Sequence, residues 1–179
     1  MRNFLFVFII ILFAKQALAT PESETAFATF ETYCLANITQ PQRIDTMLSA
    51  SGIKPLPKEM AKALLMPKKG KAWLVYKGIS IALTEEGTCT VNAPYVNGEE
   101  AKSIFNNYIK NIKITSETMG SQVQDIYAVT YPDLSAGYLS RIMVLITTNS
   151  LKSIDGIIFN ALPEKLALKE NIKIKNWPK

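Results

Sequence analysis

The sequence contains no histidine, and this absence excludes many kinds of active site. Ser-His-Asp and Cys-His arrangements, imidazole general bases and histidine-ligated zinc sites all need that residue. The only two cysteines, Cys34 and Cys89, are too few and too far apart for a thiolate zinc site or a Cys-x-x-Cys redox motif. Neither the Walker nor the dinucleotide-binding glycine motif occurs. We therefore predict no cofactor, no metal and no catalytic residues.

Long apolar runs are also missing, with one short exception at the beginning of the chain. Arg2 precedes an apolar run over residues 4–14, and this run of about eleven residues is shorter than the roughly 20 needed to span a bilayer. Ala17-Leu18-Ala19 fits the small-x-small pattern of a signal-peptidase site. We predict a signal peptide over residues 1–19, cleaved after Ala19, and a single globular domain over residues 20–179. An uncleaved N-terminal anchor is the alternative.

The net charge is small for a protein with a basic isoelectric point. It is +5 for the whole sequence, and loss of Arg2 and Lys15 with the predicted leader lowers it to +3. Aromatic and basic residues are not interleaved, so we predict no nucleic-acid partner.

The positive charge is concentrated at the C-terminal end. From Pro163 onward there are five lysines and two glutamates. Tryptophan beside lysine suits a membrane surface or a partner protein, whereas the alternation over residues 171–175 also fits an edge strand with outward-facing lysines. The predicted contact with a partner or an anionic surface comprises Lys173, Lys175, Trp177 and Lys179.

The two cysteines are predicted to form a disulfide. Cysteines of exported proteins usually pair, because the periplasm and the cell exterior are oxidising. On the first predicted helix Phe27, Phe30 and Cys34 share one stripe, which points the cysteine at the core. Two buried thiols or a reactive cysteine are the alternatives to a Cys34–Cys89 bridge.

The order of predicted elements indicates the α+β class. Helices begin after Thr20, Pro41, Pro57 and Asn97, with Thr20 and Asn97 as N-caps. Short strands joined by tight turns favour antiparallel pairing, because parallel neighbours need long crossovers. We predict a curved, mainly antiparallel sheet of about six strands, with the N-terminal helices and one inserted helix packed on one face.

Three of these strands lie within residues 71–91 and have different patterns. Around Trp73 both faces are apolar, which predicts a central strand covered on both sides. The next two strands alternate apolar residues with Ser80, Ala82, Thr84, Thr88 and Thr90, which predicts half-buried strands.

Two charged turns lie at the start of this segment and within it. Residues 68–71, Lys-Lys-Gly-Lys, form a basic turn that either contacts an anion or is a solvated loop. Glu85 and Glu86 precede Gly87 in a hairpin turn. A glycosidase needs two carboxyl groups facing one cleft, about 5–9.5 Å apart, and neighbouring acids in a turn are more simply explained as solvated charges.

Three short motifs carry a resemblance to a known group of proteins. They are Phe30 with Cys34 on the first helix, Lys71-Ala72-Trp73 at a strand start, and Gly87-Thr88-Cys89-Thr90-Val91. Together they resemble small exported two-cysteine proteins of Gram-negative bacteria, families of uncharacterised function. The resemblance implies a periplasmic location and one disulfide-tied domain, and it supplies no catalytic residues.

These features predict a non-enzymatic exported protein that binds a protein or an envelope component. Its location is predicted to be periplasmic, with the cell exterior as the alternative. An inhibitor or accessory factor of an envelope enzyme is one form of this hypothesis. A carboxylate-dependent hydrolase of envelope polymers is the alternative, and a peripheral protein whose lysine-rich end contacts anionic lipid is a third hypothesis.

Overall fold

The computed structural model describes residues 20–65, 67–134, 137–149 and 156–169, together with Ile174, Trp177 and Pro178. The predicted signal peptide lies outside the described residues, as do Lys173, Lys175 and Lys179. Within the described part, the chain is an antiparallel seven-stranded sheet with helices, which confirms the α+β class.

The helices alternate with two groups of strands. The helices are α1 Pro21–Thr29, α2 Gln42–Ala50, α3 Lys58–Leu65, α4 Gly98–Tyr108 and α5 Glu164–Lys169. A π-helical turn, Phe30–Cys34, and a 3₁₀ turn, Leu35–Asn37, extend α1. The strands are β1 Gly70–Tyr76, β2 Ile79–Thr84, β3 Cys89–Ala93, β4 Asn111–Met119, β5 Gln122–Asp133, β6 Tyr138–Asn149 and β7 Ile157–Pro163.

The sheet consists of two meanders that join in its middle. Its strand order is β1-β2-β3-β7-β6-β5-β4, and every neighbouring pair is antiparallel. The first meander is β1–β3 and the second is β4–β7, and they meet where β3 pairs with β7. Helix α4 connects the two. The sheet therefore has one strand more than the approximate six predicted.

The prediction that the strand around Trp73 is central was wrong, because β1 is an edge strand of the sheet. Trp73 is fully buried beneath the helices, but on the opposite face Leu74 is 53% exposed and Tyr76 is 46% exposed. An apolar residue on both faces of a strand indicates burial only when neighbouring elements cover both faces. Here only one face is covered at these positions.

One face of the sheet forms the main core with α1 and α4. The ring of Phe30, from the end of α1, stacks on Phe159 of β7 at a centroid distance of 4.8 Å. Phe105 of α4 contacts the ring of Tyr127 of β5 edge-on at 5.1 Å. The Cys34–Cys89 disulfide lies in the same core, with a Cα–Cα distance of 5.4 Å, and confirms the predicted bridge.

The predicted N-caps also hold the two core helices together. Thr20 and Asn97 cap α1 and α4. The backbone N–H and the hydroxyl of Thr20 donate to the two carboxylate oxygens of Glu100, both at 2.8 Å, and the Ser23 hydroxyl donates to Oε2 at 2.8 Å. The beginning of α1 is therefore bound to the first turn of α4.

Helices α3 and α5 lie on the opposite face of the sheet, which differs from the predicted one-sided packing. Ala61 and Leu65 of α3 pack against Ala72 and Ala82, small residues that alternate with core-facing ones. Ala167 of α5 lies in a cluster with Ile126 and Met143, and Ile174 packs against it. Because Ala72 on β1 and Ala82 on β2 have small side chains, α3 can pack closely against these two strands. Between the two helices, the residues that the structure describes leave this face of the sheet open.

Candidate ligand-binding groove

The open part of the second face is a groove with a volume of about 690 Å³. Its floor is made by β2, β3, β7 and β6, and the end of α3 with the following turn forms one wall. Such a volume lies within the range of about 300–1,000 Å³ typical of small-molecule sites.

Strand register arranges the floor side chains in three rows across the four strands. Pairs such as Ala82 with Thr90 and Thr90 with Asn160 fix the alignment. The rows are Thr84, Thr88, Leu162 and Met143 at one end, Ala82, Thr90, Asn160 and Leu145 in the middle, and Ser80, Asn92, Ile158 and Thr147 at the other end.

The floor has a polar half and an apolar half. The β2–β3 half presents hydroxyl and amide side chains, whereas the β7–β6 half presents mainly aliphatic ones, with Leu145, Ile158 and Leu162 half-buried. At the boundary, the Thr90 hydroxyl donates to Asn160 Oδ1 at 2.7 Å, and this leaves the two amide hydrogens of Asn160 as donors.

One polar atom of the lining lacks a partner among the described residues. The Thr88 Oγ atom is buried and makes no hydrogen bond there. Leaving a buried hydroxyl unpaired costs about 1–3 kcal/mol.

Lysines surround the same end of the groove. Lys68 lines it, and its ammonium group contacts Glu86 Oε2 at 2.7 Å. An adjoining hollow of about 180 Å³ is lined by Glu86, Lys165 and Lys169. The pKa of Glu86 lies below its ordinary value because Lys68 donates a hydrogen bond and attracts its charge, with a smaller contribution from Lys169.

Local backbone geometry places Glu86 at this position. Gly87 has a φ of 99°, a left-handed conformation that glycine adopts without strain, and it completes the turn between β2 and β3. The basic turn after α3 runs beside it, with the Glu85 N–H donating to the Lys69 carbonyl at 2.9 Å. The two charged turns seen in the sequence are therefore neighbours in the fold.

The groove lining offers hydrogen-bonding side chains beside apolar ones. The described residues that line the groove include hydroxyls, amides and one lysine, but no carboxylate. Within the described parts of the chain, no group of three or more acidic or cysteine side chains has an arrangement that could hold a metal ion.

The disulfide and the described part of the predicted C-terminal contact lie in different parts of the fold. Cys34 and Cys89 lie in the main core. Trp177 is half-buried, with its ring centroid 5.8 Å from the guanidinium carbon of Arg141. Pro178 is buried, and its carbonyl accepts a 2.7 Å hydrogen bond from the Thr130 hydroxyl. This part of the C-terminal contact is thus packed on β5 and β6, and its three lysines lie outside the described residues.

Sequence reasoning missed the groove because its residues come from separate meanders. Ser80, Thr84, Thr88 and Thr90 were recognised only as the less apolar sides of half-buried strands. Asn160 and Leu145 face the same groove only because β7 joins β3 to β6. An excess of small polar residues on one face of two adjacent strands was the available signal.

Comparison of the chain with protein-family models, curated proteins and solved structures finds no match. Among the helices of the described residues, none has the length and apolarity needed to cross a membrane.

Proposed function

We propose that this chain is an exported, non-enzymatic protein that binds an envelope component in the groove between α3 and α5. The observation that carries this proposal is the open floor over β2, β3, β7 and β6, with its polar and apolar halves side by side. A concave site that combines apolar surface with a few directed polar groups is the usual form of a ligand site.

The disulfide supports the exported location, because such bridges persist mainly in oxidising compartments. The predicted leader agrees with it. A periplasmic position would bring the groove into contact with envelope molecules.

The alternative of a carboxylate-dependent hydrolase finds no support in the groove. Glu86, an acid near its rim, is paired with Lys68. Asp125, a buried acid, is bound by Lys102 and Lys113 in a different part of the fold. Neither carboxylate is paired with a second one across the groove floor.

A groove-filling variant provides the test. We expect the organic-soluble fraction of a Gram-negative envelope extract to shift the amide signals of Ser80, Thr90 and Asn92 in the NMR spectrum of the chain that starts at Thr20. Asn160→Trp places a large side chain in the middle row and should abolish these shifts, whereas Leu139→Trp, at an exposed position on β6, should preserve them.

Thermal unfolding of both variants would verify that they are folded. Shifts confined to other surfaces, or equal shifts in the Asn160→Trp variant, would contradict the proposed site. If only the water-soluble fraction shifts these amide signals, and Asn160→Trp abolishes the shifts, the groove is still the binding site and its ligand is polar.

A further inference from the structure

We infer that the ligand of the groove is an uncharged single-chain lipid with an ester or amide carbonyl. Its carbonyl oxygen accepts a hydrogen bond from the Asn160 carboxamide, its polar head lies towards Asn92, and its hydrocarbon chain runs towards Leu162. This inference rests on the proposed function and adds the chemical class and the orientation of the ligand.

The lining of the groove carries little charge, and this favours an uncharged ligand. Among the described residues that line it, Lys68 alone is ionisable, and its ammonium group contacts Glu86 Oε2 at 2.7 Å. Lys165 and Lys169 line the adjoining hollow rather than the groove. A charged group that leaves water without gaining a counter-charge loses much of its solvation energy. A ligand without charge avoids this loss.

The end of the groove beside Lys68 is apolar, although Thr84 and Thr88 form part of its floor. The Thr88 Oγ atom is buried and cannot be reached from the groove. Thr84 is 9% exposed, and its hydroxyl oxygen accepts a hydrogen bond from the Thr88 N–H at 3.0 Å. The half-buried Leu162 lies in the same row, and Leu64 also lines the groove. The accessible surface at this end therefore suits a hydrocarbon chain.

Uncharged hydrogen-bonding groups lie in the middle of the floor and at its other end. Because the Thr90 hydroxyl donates to Asn160 Oδ1 at 2.7 Å, the two amide hydrogens of Asn160 remain as donors in the middle row. In the next row, the half-buried Asn92 lies beside Ser80 on the neighbouring strand. This end adjoins a hollow of about 150 Å³ that is lined only by uncharged described residues. Asn160 can thus bind a carbonyl oxygen, and Asn92 and Ser80 can bind hydroxyl groups of the head.

The length of the floor matches a medium-chain lipid of this kind. Ile158 and Leu162, in the two end rows, are four residues apart on β7, a distance of about 13 Å. The main chain of monooctanoylglycerol has roughly eleven bonds, each advancing it by about 1.3 Å, so its extended length is about 14 Å. The head, the carbonyl and the chain of this molecule therefore cover the three rows in order.

An extended peptide fits this floor less well than a lipid. Peptides that bind sheets as an added strand pair with the free backbone of an edge strand. The four floor strands are all interior, and each is paired with a neighbour on both sides. The floor therefore offers a ligand its side chains and little free backbone.

The test compares four ligands with eight-carbon chains below their micelle-forming concentrations. We expect titration calorimetry of the chain that starts at Thr20 to give the tightest binding for monooctanoylglycerol. Octylglycerol, its ether analogue, lacks the carbonyl oxygen and should bind roughly three- to tenfold more weakly, the effect of one hydrogen bond. Octanoate and octyltrimethylammonium should also bind more weakly than the ester, because their charged heads gain no counter-charge in the groove.

Matched variants locate the carbonyl group. Asn160→Leu should weaken the ester roughly three- to tenfold, by loss of the same hydrogen bond, and should not weaken the ether. Asn107→Leu, the same substitution at an exposed position on α4, should change neither. Leu162→Asn should weaken both ligands, because it places a polar group under the hydrocarbon chain. Thermal unfolding verifies that each variant is folded.

The outcomes separate this inference from the proposed function. Equal or tighter binding of octanoate, of the cation or of the ether would overturn the inference, as would equal effects of Asn160→Leu and Asn107→Leu on the ester. If none of the four ligands binds while envelope extract still shifts the amide signals of the floor, the lipid is wrong and the groove function stands. If neither produces a response, both are rejected.

Discussion

Asp125 shows how single side chains stabilise the wide half of the sheet. Asp125 is 2% exposed, and its carboxylate lies between Lys113 Nζ at 2.7 Å, Lys102 Nζ at 3.4 Å and the Ser116 hydroxyl at 2.6 Å. Burial raises the pKa of Asp125, but the hydrogen bonds and charges of these partners outweigh it and hold the pKa below its ordinary value. The network joins β5 to β4 and α4.

Asp125→Asn should therefore destabilise the protein in a pH-dependent way. The depressed pKa means that the ionised carboxylate contributes stability above the unfolded pKa of about 3.9, and that this contribution is lost as the pH falls. We expect a loss of about 2 kcal/mol in the free energy of unfolding at pH 7, measured with urea. At pH 3 the free energies of unfolding of the variant and the wild type should lie closer together.

The exposed acid Glu117 on β4 supplies the control. Glu117→Gln should change the unfolding free energy by less than about 0.5 kcal/mol. An Asp125→Asn protein with wild-type stability at pH 7 would show that the network contributes nothing net.

At the residue scale, sequence patterns were most informative for the buried helix stripes. The stripe through Phe27, Phe30 and Cys34 is buried, as its periodicity indicated. On α4, Ile104 and Phe105 are buried, but Tyr108, which helical spacing places on the same face, is 77% exposed. Helical periodicity identifies a face, and it does not show where the covering element ends.

At the element scale, the disulfide links two elements that are distant in sequence. It joins the π-helical turn after α1 to the first residue of β3, across a separation of 55 residues. The bridge keeps this end of the N-terminal helical segment on the middle of the sheet. Strand β3 also forms part of the groove floor. The bridge therefore holds, from the core side, a strand whose other side lines the groove.

Loss of the bridge should lower stability substantially. The chain-entropy model assigns about 4 kcal/mol to a loop of this length. We expect a reductant to lower the urea midpoint of the wild type, and the Cys34→Ala/Cys89→Ala variant to match the reduced protein. Mass spectrometry after alkylation should detect no modified cysteine before reduction.

The double variant is also the internal control, because the reductant should not alter its midpoint. A wild-type midpoint that is insensitive to complete reduction would contradict a stabilising role. Fast alkylation of the unreduced protein would favour the reactive-cysteine alternative.

The positions of the strands along the chain were largely predictable from the sequence, whereas the pairing of strands in the sheet was not. Alternation and turn residues located the strands, because both are local properties of the chain. The position of β1 at the edge and the pairing of β3 with β7 depend on contacts between distant segments. The groove shares this origin, since its polar half comes from the first meander and its apolar half from the second.

At the scale of the whole molecule, Thr20 is both the N-cap of α1 and the residue that follows the predicted cleavage site. Its backbone nitrogen lies 2.8 Å from Glu100 Oε1. The sequence predicts cleavage after Ala19, which would convert this nitrogen from a neutral peptide donor into the α-ammonium group of the mature chain. Partial desolvation raises the pKa of Glu100, but hydrogen bonds from Thr20 and Ser23 hold it below its ordinary value.

Processing should therefore add an ion pair that fastens α1 to α4. We expect the chain that starts at Thr20 to unfold at a higher temperature than a chain carrying Gly-Ser before Thr20. Exposed ion pairs are worth about 0.2–1 kcal/mol, and about 1 kcal/mol shifts the midpoint by roughly 2–4 °C at this chain length.

Glu100→Gln should remove the difference in unfolding temperature between the two chains, whereas Glu24→Gln, at an exposed position on α1, should preserve it. Because the Glu100 pKa is depressed, the advantage should be present above the ordinary glutamate pKa of about 4.3 and should be lost as the pH falls through the lower pKa of the folded protein. Equal midpoints for the two chains, or an advantage that survives Glu100→Gln, would show that the new N-terminus does not pair with this carboxylate.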